Sequence, residues 1–118
     1  TKNEKFLVEG DGTETRSFCF IDDAIAGTLL VHDDNSNGER IFNIGNDAES
    51  SILDLINLLS EVSGKNINPK FKLKENAGTK RRKPDISKAK SVGYIPKIAL
   101  RDGLKITYDW YSKFYKNN

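Results

Sequence analysis

The sequence predicts a small mixed α/β layer, and three observations carry that reading. Short apolar or alternating runs end in glycine or asparagine and suit strands. Longer runs repeat apolar residues every three or four positions and suit helices. The two kinds follow one another as strand, helix, strand, helix, strand, helix, helix, and 118 residues suffice for one domain with a modest core.

Phe6-Leu7-Val8 is a short apolar run stopped by Gly10-Asp11-Gly12, a strand entering a tight turn. Residues 16–21 alternate weakly, with Phe18 and Phe20 on one side, and are expected to be extended. A helix should begin at Asp22 or Asp23, either of which can accept the free N–H groups of a first turn. Its buried stripe would be Ile25, Leu29 and Leu30, and the polar run 33–38 ends it. Residues 40–44 read as a brief strand closed by Gly45-Asn46. The clearest helix is 51–63: Ser51 and Asp54 have capping-box spacing, Ile52, Leu55, Ile56, Leu59 and Val62 recur at helical intervals, and Gly64 supplies the stop. Residues 68–73 alternate Pro69, Phe71 and Leu73 against Lys70 and Lys72, as a half-exposed strand would. Asp85 should cap a short helix through Val92 that Gly93 ends. A last amphipathic helix is expected from about 99 to 115, with Leu100, Leu104, Tyr108 and Tyr111 on one face.

With 36% hydrophobic and 31% charged residues, the composition is that of a soluble folded chain rather than a disordered one. No apolar run approaches the roughly 20 residues of a membrane helix, so no membrane partner is expected. Residues 1–5 lack the apolar centre of a signal peptide. The single cysteine, Cys19, cannot form an internal disulfide, and a cytoplasmic location is the simplest expectation. The net charge of +2 conceals a strong asymmetry. Residues 1–60 hold 4 basic and 12 acidic side chains, whereas residues 61–118 hold 15 basic and 5 acidic, ten of the bases falling between 65 and 90. Such a block suits an anionic partner (phosphate, nucleotide, nucleic acid or an acidic protein surface) unless the two halves simply neutralise each other in the fold.

Several kinds of chemistry lack their residues. One histidine, His32, and one cysteine supply neither a zinc cluster nor a Cys/His pair, so no metal site is expected. Gly10-Asp11-Gly12 begins like a dinucleotide fingerprint, but Thr15 replaces its third glycine, and a plain turn is preferred. Residues 33–38 match the first half of a calcium loop, yet Ile44 stands where the bidentate glutamate belongs. The block 65–90 could serve a stand-alone nucleotide- or nucleic-acid-binding module. Phe71 is its only aromatic, however, and stacking on bases needs more.

Four segments carry a resemblance. Residues 10–23, GDGTETRSFCFIDD, closely resemble the G-D-G-x-x-x-R-x-F/Y-x-x-V-x-D signature of the extended short-chain dehydrogenase/reductases, the NAD-dependent epimerase/dehydratase family. Phe42-Asn43-Ile44-Gly45 resembles that family's strand ending in N-[IV]-G, and residues 51–55 the helix that follows. Residues 82–90, RKPDISKAK, resemble its R-x-P-D-x-S-K-A segment, with Gly93-Tyr94-Ile95-Pro96-Lys97 and residues 100–104 after it. The resemblance spans roughly residues 6–115 and leans toward the UDP-glucuronate decarboxylase and epimerase members.

The resemblance implies a small α/β C-terminal subdomain that binds a UDP- or dTDP-sugar, with NAD held by an N-terminal Rossmann domain absent from this chain. The full-length protein would be a homodimer with no nucleic-acid partner. The family's catalytic Tyr-x-x-x-Lys pair is also missing: Tyr94, Tyr108 and Tyr111 are followed four residues later by Ile98, Ser112 and Tyr115. No catalytic or cofactor-binding residue is therefore assigned, and the chain alone is expected to be inactive. Arg16 occupies the place of the family arginine that contacts the diphosphate; its alternative is a surface ion pair to Asp22 or Asp23. Arg82 corresponds to the arginine that points into the sugar and diphosphate region, its alternative being a solvated charge run. Glu14 stands where decarboxylase-type members carry glutamine near the nucleotide. Residues 76–79, NAGT, lack the acid with which relatives often hold the ribose. Asp85, Asn43 and Gly45 are read as structural. Trp110, Tyr111 and Phe114 are read as core, or as surface packed against the missing domain.

Overall fold

The computed structural model describes residues 6–33, 41–72 and 78–116. The elements run β1 (Leu7–Glu9), β2 (Thr15–Ser17), α1 (Ile21–Asp33), β3 (Glu49–Ser51), α2 (Ile52–Ser63), β4 (Lys70–Lys72), β5 (Arg81–Arg82), α3 (Ser87–Ser91) and α4 (Leu100–Lys116). The mixed α/β class is as expected. Two small sheets organise it: β1 pairs parallel with β4, while β2 lies between antiparallel β3 and parallel β5. The polar run 33–38 after α1, Arg40 and Leu73 fall wholly or partly outside the described residues.

Local chemistry explains the best-formed helix. Ser51 accepts the Asp54 N–H while Asp54 accepts the Ser51 N–H at 3.1 Å, so two orphan donors of the first turn are satisfied reciprocally. Gly64 closes α2 in the left-handed region at φ 64°, a backbone conformation that strains residues with a side chain. The Ile52 and Leu53 N–H groups donate to the Glu14 and Gly12 carbonyls, which ties the start of α2 to the turn before β2.

Tertiary packing overrode several expectations. The apolar stripe on α1 faces outward: Ile25 and Leu29 are 51% and 57% exposed, and the buried residues of that helix are Asp23 and Gly27. Asp23 does not cap α1, which already begins at Ile21; its carboxylate instead accepts the Lys97 and Ile98 N–H groups at 3.0 and 2.9 Å. Residues 41–44 form no strand. Phe42 and Ile44 pack against the buried Ile86, Ala89 and Tyr94, and the Asn43 amide donates to the Asp85 carbonyl. That cluster is the principal core. Tyr94 donates its hydroxyl to the Gly45 carbonyl at 2.8 Å, with the Cys19 sulfur 3.7 Å away. The α4 aromatics Trp110, Tyr111 and Phe114 are about half exposed, so they are not part of this chain's core.

Candidate functional site

β2 is the centre of the site because it pairs with both neighbouring strands, through all three residues with β3 and through Thr15 and Arg16 with β5. The parallel register sets Thr15 beside Arg81 and Arg16 beside Arg82. Residues paired in register on adjacent parallel strands project to the same face, and the strands lie about 4.8 Å apart. Arg16 and Arg82, 66 positions apart in the chain, therefore stand side by side on one face. Arg16 donates through Nη1 to the Thr15 and Lys80 carbonyls at 2.6 and 3.4 Å. Neither Arg16 nor Arg82 has a carboxylate partner among the described residues. The pairing of Arg16 with Asp22 or Asp23 does not form, and Asp23 is occupied by backbone.

Glu14 lies at the edge of the same region. Its Oε2 accepts the Gly12 N–H at 3.2 Å, so the carboxylate caps the glycine turn. Together with Arg16, Phe6, Val8, Ile52 and Thr79 it lines a cavity of about 260 Å³. Arg82 does not line it. The glycine turn itself is filled: a Cβ on Gly12 would meet Leu53 at 2.8 Å and Phe71 at 3.1 Å. A strand rather than a helix follows the turn, and its Gly12 N–H is already used. This turn therefore does not fit a dinucleotide pyrophosphate, which needs a glycine turn opening onto free helix N–H groups.

The opposite face of the three-stranded sheet holds a contact that the sequence did not suggest. Glu49 Oε1 accepts from the Thr15 hydroxyl at 2.9 Å and from Arg81 Nε at 2.8 Å, and Oε2 accepts from Arg81 Nη2 at 2.6 Å. The Arg81 guanidinium, followed by the Thr15 hydroxyl, pulls the Glu49 carboxyl down to about 2 from its ordinary 4.5. Only spacing could have signalled this contact: Arg81 and Arg82 alternate along a strand, and one of them must face away from Arg16. The basic block is divided by the fold. Lys70 and Lys72 lie in the β1–β4 sheet, Arg81 is paired with Glu49, and Lys90 is paired with Asp47 at 2.7 Å.

Comparison with known proteins settles the family. The model of the NAD dependent epimerase/dehydratase family matches residues 1–45. UDP-glucuronic acid decarboxylase 3 of Arabidopsis thaliana is 38% identical over 110 residues, covering 89% of this chain and 30% of the relative. GDP-L-fucose synthase 1 of the same plant is also 38% identical over 110 residues, covering 93% and 34%. Among solved structures, UDP-glucuronic acid 4-epimerase from Bacillus cereus, in complex with UDP-glucuronic acid and NAD, superposes with a TM-score of 0.85 at 38% identity, covering 95% of this chain and 36% of the epimerase.

The chain belongs to the NAD dependent epimerase/dehydratase family. It spans about a third of the length of the relatives it matches, between 30% and 36% in the three just described. Arg16 lies within the residues that the family model matches, and Arg82 lies beyond them. No helix among the described residues is long and apolar enough to cross a membrane.

Proposed function

We propose that this chain is the nucleotide-sugar-binding part of an NAD-dependent epimerase, dehydratase or decarboxylase, and that Arg16 and Arg82 hold the sugar nucleotide's diphosphate. One observation carries the reading: the two arginines are in register on adjacent parallel strands with no acid between them. An anion lying across both would draw the two guanidinium groups together and balance their like charges. A diphosphate matches because each planar fork can donate two parallel hydrogen bonds to phosphate oxygens and keeps its charge at every working pH. Glu14, beside Arg16 in the cavity, would face the nucleoside end of such a ligand and accept from hydroxyl groups rather than from phosphate.

The family relatives support a sugar nucleotide without choosing the base, since both UDP- and GDP-sugar enzymes match at 38% identity. NAD would be held by a Rossmann domain N-terminal to this part, because the glycine turn here is already packed. The whole protein would then oxidise the sugar reversibly, as a cytoplasmic homodimer, while the chain alone binds without turning over.

Calorimetric titration tests the reading. UDP-glucuronic acid, UDP-glucose and a GDP-sugar are titrated into the chain, alone and joined to a family Rossmann domain. Replacing Arg16 or Arg82 by alanine should weaken binding of the preferred sugar nucleotide about tenfold or more, each lost charge-assisted contact being worth at least about 1.4 kcal/mol. Uridine, which lacks phosphate, should bind far more weakly than UDP. Equal affinity for uridine and UDP, or no binding even in the joined protein, would defeat the proposal.

A further inference from the structure

The strand that carries Arg82 is only two residues long, and a ladder that short does not hold its own register firmly. The surrounding sequence makes the difficulty acute. Lys80, Arg81, Arg82 and Lys83 are all basic, so a slip of one residue exchanges one cation for another on each face. Attraction to an anion beside Arg16 cannot choose between the registers that offer it Arg81 and Arg82.

Glu49 can. Its side chain is 22% exposed, and it takes both forks of Arg81 while accepting from Thr15, so it bridges all three strands of the sheet. A lysine cannot reproduce that bidentate contact, because its ammonium is a point donor. The three neighbouring registers then differ sharply. A slip one way would set Lys80 beside Glu49 and Arg81 beside Arg16; a slip the other way would set Arg82 beside Glu49 and Lys83 beside Arg16. Only the observed register gives an arginine to both faces at once.

We propose that Glu49, acting through Arg81, is a positioning residue that selects the strand register and so places Arg82 beside Arg16. The proposal rests on the reading of those two arginines as the diphosphate holders. Exposed ion pairs contribute little to global stability, but a choice between near-equal registers needs little.

Two variants separate positioning from simple electrostatics. Arg81→Lys conserves charge, and Arg81 does not face the ligand side, so an electrostatic account predicts unchanged binding. Register selection predicts that Arg82 moves to Glu49, Lys83 comes beside Arg16, and UDP affinity falls about tenfold, the scale of one lost bidentate contact. Glu49→Ala raises the net positive charge, so electrostatics predicts tighter binding and register selection predicts weaker. The exchange Glu49→Arg with Arg81→Glu should restore affinity. Register is read without any ligand from NMR through-space contacts between the backbones of residues 16 and 82. They should be lost in Arg81→Lys, replaced by contacts between 16 and 83, and should return in the exchange variant. Unchanged 16–82 contacts in both single variants would overturn the proposal, as would unchanged UDP affinity in both. A wild-type chain that binds no UDP defeats the diphosphate reading instead, and the NMR contacts still decide the register rule.

Discussion

At the residue scale, the sequence separates the two arginines from the other bases but says nothing of what holds them. Arg16 was legible because it is the only base between Lys5 and Arg40 and sits in a recognisable signature. Arg82 was legible from the proline and aspartate that follow it. Glu49 was not, because its partners lie 34 and 32 positions away and no local pattern joins them. Its acid chemistry gives a direct check. The folded carboxyl titrates near 2, below its ordinary 4.5. The stabilisation it supplies is therefore complete above the ordinary value and disappears as pH falls toward about 2. A carbon-13 titration should place the Glu49 midpoint near 2, and the residue 16–82 backbone contacts should survive at pH 4. A midpoint near 4.5 would show that the Arg81 contact does not persist in solution.

At the scale of elements, capping chemistry is read well from sequence and burial is read less well. α2 was legible at both ends because Ser51, Asp54 and Gly64 act within a few residues of one another. Ser51→Ala should cost about 1 kcal/mol in urea denaturation, the usual worth of an N-cap. β3 and β5 were not legible, since strands of two and three residues exist only by virtue of their neighbour β2. α1 was found but turned the wrong way. Its apolar periodicity selects Ile25 and Leu29, whereas the interior of this chain selects Asp23 for its carboxylate and Gly27 for its lack of a side chain. A Cβ at Gly27 would come within 2.7 Å of the Tyr94 ring and 2.8 Å of Ile44. Helix propensity alone predicts that Gly27→Ala stabilises by about 1 kcal/mol. Overpacking predicts a loss of about 1–3 kcal/mol, and we expect the loss to dominate. Denaturation midpoints give the sign.

At the scale of the whole molecule, the described chain is a flattened body with a small core, its extents being 52 × 39 × 21 Å. Large apolar side chains stay exposed on two helices: Ile21, Ile25 and Leu29 on α1, and Ile106, Trp110 and Phe114 on α4. Under the proposed function, a Rossmann domain would cover at least one of these faces. Ile25→Asn should then leave the melting temperature of the chain alone nearly unchanged, as exposed substitutions change stability by no more than about 0.5 kcal/mol. The same change in a protein joining both parts should lower its melting temperature by several degrees. Equal small effects in both would place the α1 stripe in solvent in the longer protein too.

The sequence by itself determined the fold class, the boundaries of α2 and α4, and the turn at Gly10 and Gly12, and it singled out the two arginines of the proposed site. Each of these depends on groups close in the chain or on a pattern read in order along it. Tertiary structure alone decided which face of α1 is buried, which of two adjacent arginines meets Glu49, and that Arg16 and Arg82 share a sheet face. Those outcomes depend on contacts between residues dozens of positions apart, and local periodicity carries no record of which distant strand will supply the partner.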